Sequence, residues 1–193
     1  MRHLAVLALL SVSLFAQPSG VLTDPDAYAV YNAVIPSDSF VRSAQPSELL
    51  IQDTTEVAKP MSKSCLPSGP ELTGPWLETL NDFRAQHVTA KFLDRQFSIP
   101  MAYRFESRDT IQSFFTNTAG PIGWEAFYAA YPKSRGFLRL SAVGFDQAHE
   151  HAFVYMADAC GGLCGEGAFH FLLRTADAWK EVRLNVDTCW WVS

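Results

Sequence analysis

The most unusual segment of the chain is the eight-residue run CGGLCGEG, from Cys160 to Gly167. Half of it is glycine, at Gly161, Gly162, Gly165 and Gly167. Glycine adopts positive φ angles without strain, and successive exposed N–H groups could bind an anion. The run lacks the lysine and the Ser/Thr of a phosphate-binding P-loop. We favour the alternative, a tight turn between two strands.

The chain has four cysteines: Cys65, Cys160, Cys164 and Cys189. An even number of cysteines predicts disulfides if the chain is exported to an oxidising compartment, which the N-terminal pattern described below indicates. Four cysteines allow three pairings. We favour Cys160–Cys164 within one turn and Cys65–Cys189 between the ends of the domain. A zinc site is the alternative, but a single Cys-x3-Cys pair without a second close pair is a poor zinc signature.

A histidine follows this run. A hairpin folded about Cys164 would place His170 across from Asp158, with Glu166 near the same end of the hairpin. Because a histidine beside a carboxylate can act as a general base, a small hydrolase using Asp158, Glu166 and His170 is one interpretation. A cross-strand polar pair without chemistry is the commoner arrangement. We therefore favour a non-catalytic protein and keep the hydrolase as the alternative.

Two further histidines flank Glu150, at His149 and His151. They do not form the zinc motif HExxH, because Phe153 stands four residues after His149. A third ligand is not evident from the sequence, and residues 146–148 indicate a turn. We expect solvated turn histidines here, and we expect the protein to need no metal or other cofactor.

Several motifs of the C-terminal half are distinctive in combination. They are Tyr131-Pro132 with Gly136, the run 141–145 (SAVGF), the run 152–155 (AFVY), and the run that begins at Cys160. A chain with this pattern resembles a group of uncharacterised exported bacterial proteins. The resemblance implies export and a single domain. It implies no activity, because none is known for the group.

The N-terminus has the pattern of a secretory signal peptide. Arg2 precedes an apolar run that extends from Leu4 to Ala16. The run is shorter than the ~20 apolar residues that span a membrane. We expect residues 1–16 to be removed and residues 17–193 to form a single soluble domain in the periplasm or outside the cell.

The charge balance is mildly acidic, with 15 Lys and Arg residues against 20 Asp and Glu residues and a net charge of −5. Loss of Arg2 with the signal peptide would make the balance 14 against 20, a net charge of −6. Without clusters of Lys and Arg, this balance argues against a nucleic-acid partner. We expect no membrane span in the mature chain and an unidentified ligand or protein as the partner.

The spacing of apolar residues changes along the chain. Up to Pro132 it is mainly helical, and it predicts helices that begin at Pro25, near Pro75, after Ser107 and at Trp124, with short strands at 49–51 and 101–105. Beyond Pro132 a period of two predicts four strands, at 136–146, 151–160, 168–175 and 179–186. The predicted fold is α+β, with N-terminal helices packed on one face of a C-terminal antiparallel meander sheet of about four or more strands.

Overall fold

A computed structural model describes residues 18–44, 46–57, 66–116, 123–176, 178–189 and 191–192. The predicted signal peptide and Cys65 lie outside the described residues. Within these ranges the helices are α1 (Pro25–Val34), α2 (Ser39–Ala44), α3 (Pro75–Gln86), α4 (Arg108–Thr116) and α5 (Trp124–Ala130). The strands are β1 (Leu49–Gln52), β2 (Tyr103–Glu106), β3 (Phe137–Leu140), β4 (Gly144–Phe145), β5 (His151–Ala159), β6 (Gly165–Thr175), β7 (Ala178–Val182) and β8 (Trp191–Val192).

The starts of α1 and α4 follow from capping residues in the sequence. Asp24 Oδ1 accepts a hydrogen bond from the Asp26 N–H at 2.9 Å, and Pro25 occupies the first position of α1. Ser107 Oγ accepts a hydrogen bond from the Thr110 N–H at 3.1 Å at the start of α4. Side chains of this kind satisfy N–H groups that have no partner within the helix. No helix in the described ranges is long and apolar enough to cross a membrane.

The eight strands form one mixed sheet with the order β2-β1-β3-β5-β6-β7, in which β4 also pairs with β5 and β8 with β6. From β3 to β7 the neighbours are antiparallel. However, β1 pairs in parallel with both β2 and β3. The α+β class is confirmed, but the simple antiparallel meander is wrong. Parallel neighbours need a long crossover connection, and the one between β1 and β2 contains α3.

Helices cover both faces of the sheet, although we predicted one. The core on the α1 side includes Val154, whereas the core under α3 includes its neighbour Phe153. On the α3 side, α4 and α5 also pack against the sheet, where Phe127 shares a cluster with Leu50. The physical reason is that β5 is apolar at consecutive positions, so both of its faces must be removed from water.

Several boundaries differ from the prediction. The segment 136–146 divides into β3 and β4, and the predicted strand 179–186 ends at Val182. In the other direction, β6 begins at Gly165, three residues before the predicted start. The sequence analysis also did not predict α2, which follows a 3₁₀ turn at Ile35–Ser37.

Long-range contacts join α1 to the C-terminal sheet. The Tyr31 hydroxyl is fully buried and donates a hydrogen bond to the Ser141 carbonyl oxygen at 2.7 Å, across 110 residues of sequence. Asp26 Oδ2 accepts a hydrogen bond from Arg174 Nη1 at 3.1 Å. The two halves of the chain therefore complete one core together.

Candidate functional site

The cysteine loop, defined as Cys160–Cys164, connects β5 to β6. Its two cysteines form a disulfide with a Cα–Cα distance of 5.0 Å, which confirms this predicted pair. The Cys160 N–H also donates to the Cys164 carbonyl oxygen at 2.7 Å. Gly161 has a φ of +126°, where a side chain would be strained. At the tip, Leu163 is 92% exposed. The loop is therefore a covalently closed turn with an apolar tip.

The four glycines of the run, which we considered as a possible anion-binding site, do not lie together in this turn. Gly165 and Gly167 belong to β6, in register with Ala159 and Ala157 of β5. Of the four, Gly161 has a positive φ. Two of the glycines therefore lie in the paired strand and two in the turn, which indicates that they help to form the hairpin.

The hairpin register differs from the one predicted. Asp158 lies opposite Glu166, and His170 lies opposite Val154. The expectation that His170 would face Asp158 across the hairpin is wrong. The disulfide explains the difference, because its two Cα atoms must lie within about 7 Å, which centres the turn midway between the cysteines and not on Cys164. The Nδ1 atom of His170 instead lies 2.8 Å from Glu181 Oε1.

The acidic cluster, defined as Asp38, Asp158 and Glu166, lies at the end of this hairpin. One carboxylate oxygen from each residue lies within 4.8 Å of the other two. Ser39 Oγ donates a hydrogen bond to Glu166 Oε1. The prediction that Asp158 and Glu166 lie near each other is correct, whereas Asp38 was not predicted.

Asp38 reaches the cluster because it begins α2. Its Oδ1 atom accepts a hydrogen bond from the Val41 N–H at 3.0 Å, so it caps the helix. Phe40 and Val41 are buried and hold α2 against the α1 side of the sheet. An Asp just before the helix, followed by Ser39 and the apolar pair Phe40 and Val41, was the available signal for this helix start.

Burial dominates the electrostatics of the cluster. Asp158 is 2% exposed, and its Oδ1 atom is buried without a hydrogen-bond partner in the part of the chain that the structure describes. Burial, together with the charges of Asp38 and Glu166, raises the pKa of Asp158 to about 7. Burial also raises the pKa of Asp38, against the opposing effects of the Val41 N–H and of His170. The cluster therefore brings carboxyl groups together at a position where burial disfavours the charged forms of Asp38 and Asp158.

A cleft of about 890 Å³ opens beside the acidic cluster. Its walls come from α2, from the segment around the end of α5 and from the cysteine loop. Besides Asp158 and Glu166 they include Ser39, Phe40, Ser43, Tyr128, Lys133, Ser134, Arg135, Leu163 and Cys164. The cleft thus combines acidic, basic and aromatic side chains on three separate elements.

The two histidines of the predicted turn have separate carboxylate partners. His149 Nδ1 lies 3.0 Å from Asp26 Oδ2, and His151 Nδ1 lies 3.0 Å from Asp146 Oδ2. His149 is partly exposed in the turn, while His151 is the first residue of β5. Their contacts tie the turn to α1 and brace the turn itself, which is a structural role.

The acidic cluster can do two kinds of chemistry. Carboxylate oxygens can hold a hard cation. A carboxyl group with a pKa near neutrality can also exchange a proton. Comparison with known proteins does not decide between them: no family model, no curated protein and no solved structure matches this chain.

Proposed function

We propose that this protein is an exported binding protein that holds a small polar ligand in the cleft between α2 and the cysteine loop. The observation that carries the proposal is the cleft itself. Its volume of about 890 Å³ lies within the range of about 300–1,000 Å³ that is typical of small-molecule sites. Its wall includes a buried carboxyl group, Asp158, which is the kind of polar group that orients a ligand.

The composition of the walls supports a polar ligand. Lys133 and Arg135 add positive charge to a cleft that is also lined by Asp158 and Glu166. Phe40 and Tyr128 contribute aromatic surface. The disulfide of the cysteine loop restrains one wall, and a restrained site loses less entropy on binding. We therefore expect a ligand that carries charged groups together with an apolar portion.

A thermal-shift screen of amino acids, sugars and short peptides tests this proposal. A ligand at about 100 times its Kd stabilises the folded state by about 2.7 kcal/mol, which raises the Tm by several degrees. Ser43→Trp should fill the cleft and abolish the shift. Ser113→Trp is the matched control. Both hydroxyls bond to the carbonyl oxygen three residues earlier, but Ser113 lies on α4, outside the cleft lining.

Two outcomes would contradict a binding role for the cleft. One is a screen in which no compound shifts the Tm of the wild-type protein. The other is a shift that Ser43→Trp retains in full. The screen is run with and without CaCl2, so that a ligand that needs a bound cation is also found.

Export is tested separately. We expect the mature protein to be recovered from the periplasm or the medium, with Gln17 as its first residue. Determination of the N-terminal sequence checks this expectation. Recovery of an intact chain in the cytoplasm alone would contradict it.

A small hydrolase is the second candidate, and the raised pKa of Asp158 is the observation that favours it. A carboxyl group with a pKa near neutrality can donate a proton as a general acid. In this interpretation Asp158 is the acid, and Glu166, which lies directly opposite it, is the base. His170 has a weaker case, because its Nδ1 atom pairs with Glu181. Chromogenic ester, glycoside and phosphate substrates test the idea, and any activity must disappear in Asp158→Asn and Glu166→Gln.

A further inference from the structure

We propose that the acidic cluster, Asp38, Asp158 and Glu166, binds a calcium ion. The site goes beyond the proposed function, because it can be occupied whether or not the cleft also holds an organic ligand. Its residues come from two distant parts of the chain, the start of α2 and the hairpin of β5 and β6. The fold brings three carboxylates together there.

The spacing of the carboxylate oxygens fits calcium. Calcium binds oxygen ligands at about 2.3–2.6 Å, so ligands on opposite sides of the ion lie about 4.6–5.2 Å apart. The oxygens of the acidic cluster lie within 4.8 Å of one another. This upper limit is compatible with three ligands of one calcium ion. Magnesium needs a nearly ideal octahedron at about 2.0–2.1 Å and dehydrates reluctantly, so an incomplete set of three carboxylates suits it less well.

A second observation points to a ligand at this position. Asp158 is almost fully buried and lines the cleft, yet its Oδ1 atom has no hydrogen-bond partner among the described residues. Buried polar atoms in folded proteins nearly always have a partner. Asp158 also lies directly opposite Glu166, a like-charged pair that is unfavourable in a sheet. A divalent cation held by the acidic cluster would place a positive charge beside this buried carboxyl group and would turn the repulsion into attraction.

The cleft leaves room for the remaining ligands. Calcium takes six to eight oxygens, and three carboxylates supply part of that set. The open side of the cleft admits water or an oxygen of a bound molecule. Because the protein supplies an incomplete shell, we expect a Kd on the order of 10⁻⁵ to 10⁻³ M, as for weak calcium modules.

Calorimetry and thermal melts of the chelator-treated protein test the site. CaCl2 should give one saturable binding event and raise the Tm, while MgCl2 should bind at least about tenfold more weakly because of its size. Asp158→Asn should weaken calcium binding at least about tenfold, since it removes one ligand charge. The control is Glu125→Gln, which removes an exposed acid from α5 and should leave binding unchanged.

The same variants distinguish loss of the calcium site from loss of the folded structure. Asn has the shape of Asp without its charge, so Asp158→Asn should melt at or above the wild-type temperature in chelator. If Asp158→Asn unfolds, Glu166→Gln tests the same site with a second substitution. Absence of binding up to about 10 mM CaCl2, or equal binding by wild type and both variants, would overturn the proposal. Calcium binding should persist in Ser43→Trp. That outcome would show that the calcium site does not depend on the organic ligand.

Discussion

At the scale of single residues, burial acts on two titratable groups in opposite directions. Burial and neighbouring charges raise the pKa of Asp158, which favours its neutral form. Burial lowers the pKa of His87 to about 4, which also favours the neutral form. Desolvation always opposes charge, so it moves an acid and a base in opposite directions. Asp158 lies at the cleft, whereas the His87 ring stacks on Phe83 at a centroid distance of 4.7 Å.

His87 should make the protein less stable in acid. Between pH 6.5 and 4 the unfolded chain binds a proton at this histidine and the folded chain does not, so stability falls as the pH falls. The loss reaches about 3 kcal/mol at pH 4. His87→Phe retains a ring against Phe83 and removes the proton site. Urea unfolding at pH 7.5, 5.5 and 4 should show a smaller decrease for this variant.

The control for this prediction is His149→Gln, which changes a partly exposed histidine in a turn. In this variant His87 should still contribute its full share to the loss of stability between pH 7.5 and pH 4. If His87→Phe loses as much stability between pH 7.5 and pH 4 as the wild type does, the assignment to His87 is wrong.

At the scale of elements, the contact between α3 and β4 leaves no room for a side chain at Gly144. An added Cβ would lie 2.5 Å from both the Phe83 nitrogen and the Thr79 carbonyl oxygen. Both atoms belong to the backbone of α3, so the helix as a whole would have to move. Close approach of a helix to a strand therefore depends on this glycine.

Gly144→Ala should destabilise the protein by about 2–4 kcal/mol, because overpacking against a backbone cannot be relieved by a rotamer change. Gly162→Ala is the matched control. An added Cβ there would meet nothing within 4 Å, so we expect a change within about 0.5 kcal/mol. Thermal or urea unfolding of both variants measures the difference. Equal stabilities would show that α3 can move away from β4 at little cost.

The elements that the sequence predicted well carry local signals. Asp24 with Pro25 and Ser107 mark helix starts, and alternation of buried and partly exposed residues marks β6. The parallel pairing of β1 was not predictable, because its partners lie some 50 and 90 residues away and nothing local specifies strand direction. The helix α2 has a local signal in its cap, Asp38, but its buried residues gain their contacts from distant parts of the chain.

The candidate site was predictable in part for related reasons. The sequence placed Asp158 and Glu166 at one end of a hairpin, because the cysteines and glycines between them indicate a turn. The sequence analysis placed His170 opposite Asp158, whereas it lies opposite Val154, because the centre of the turn depends on the geometry of the disulfide. It missed Asp38, which joins the cluster through tertiary packing alone.

At the scale of the whole molecule, the two predicted disulfides would close loops of very different length. Cys160–Cys164 closes a loop within one turn. Cys189 is also disulfide-bonded, and no described cysteine is free. Its predicted partner, Cys65, lies outside the described residues. By the loop-entropy account a short closure of this kind contributes about 2 kcal/mol and a Cys65–Cys189 bridge about 5 kcal/mol.

Peptide mapping without reductant should recover Cys65 and Cys189 in one cross-linked peptide pair. Cys189→Ser should lower the Tm more than the double change Cys160→Ser with Cys164→Ser, because it opens the longer loop. Mass analysis and thermal melts make the two measurements. A Cys65 peptide that carries a free thiol would contradict the predicted pairing.

The hydrogen bond between Tyr31 and Ser141 joins two residues that the ribosome adds at very different times. The ribosome completes α1 and β1 long before it makes β3, which supplies a neighbour of β1 in the sheet. Until then α1 and β1 lack the later strands that share their core, so we expect the N-terminal half to stay unfolded. An unfolded chain is the form that a narrow translocation channel accepts. The late completion of the core therefore suits the proposed export of this protein.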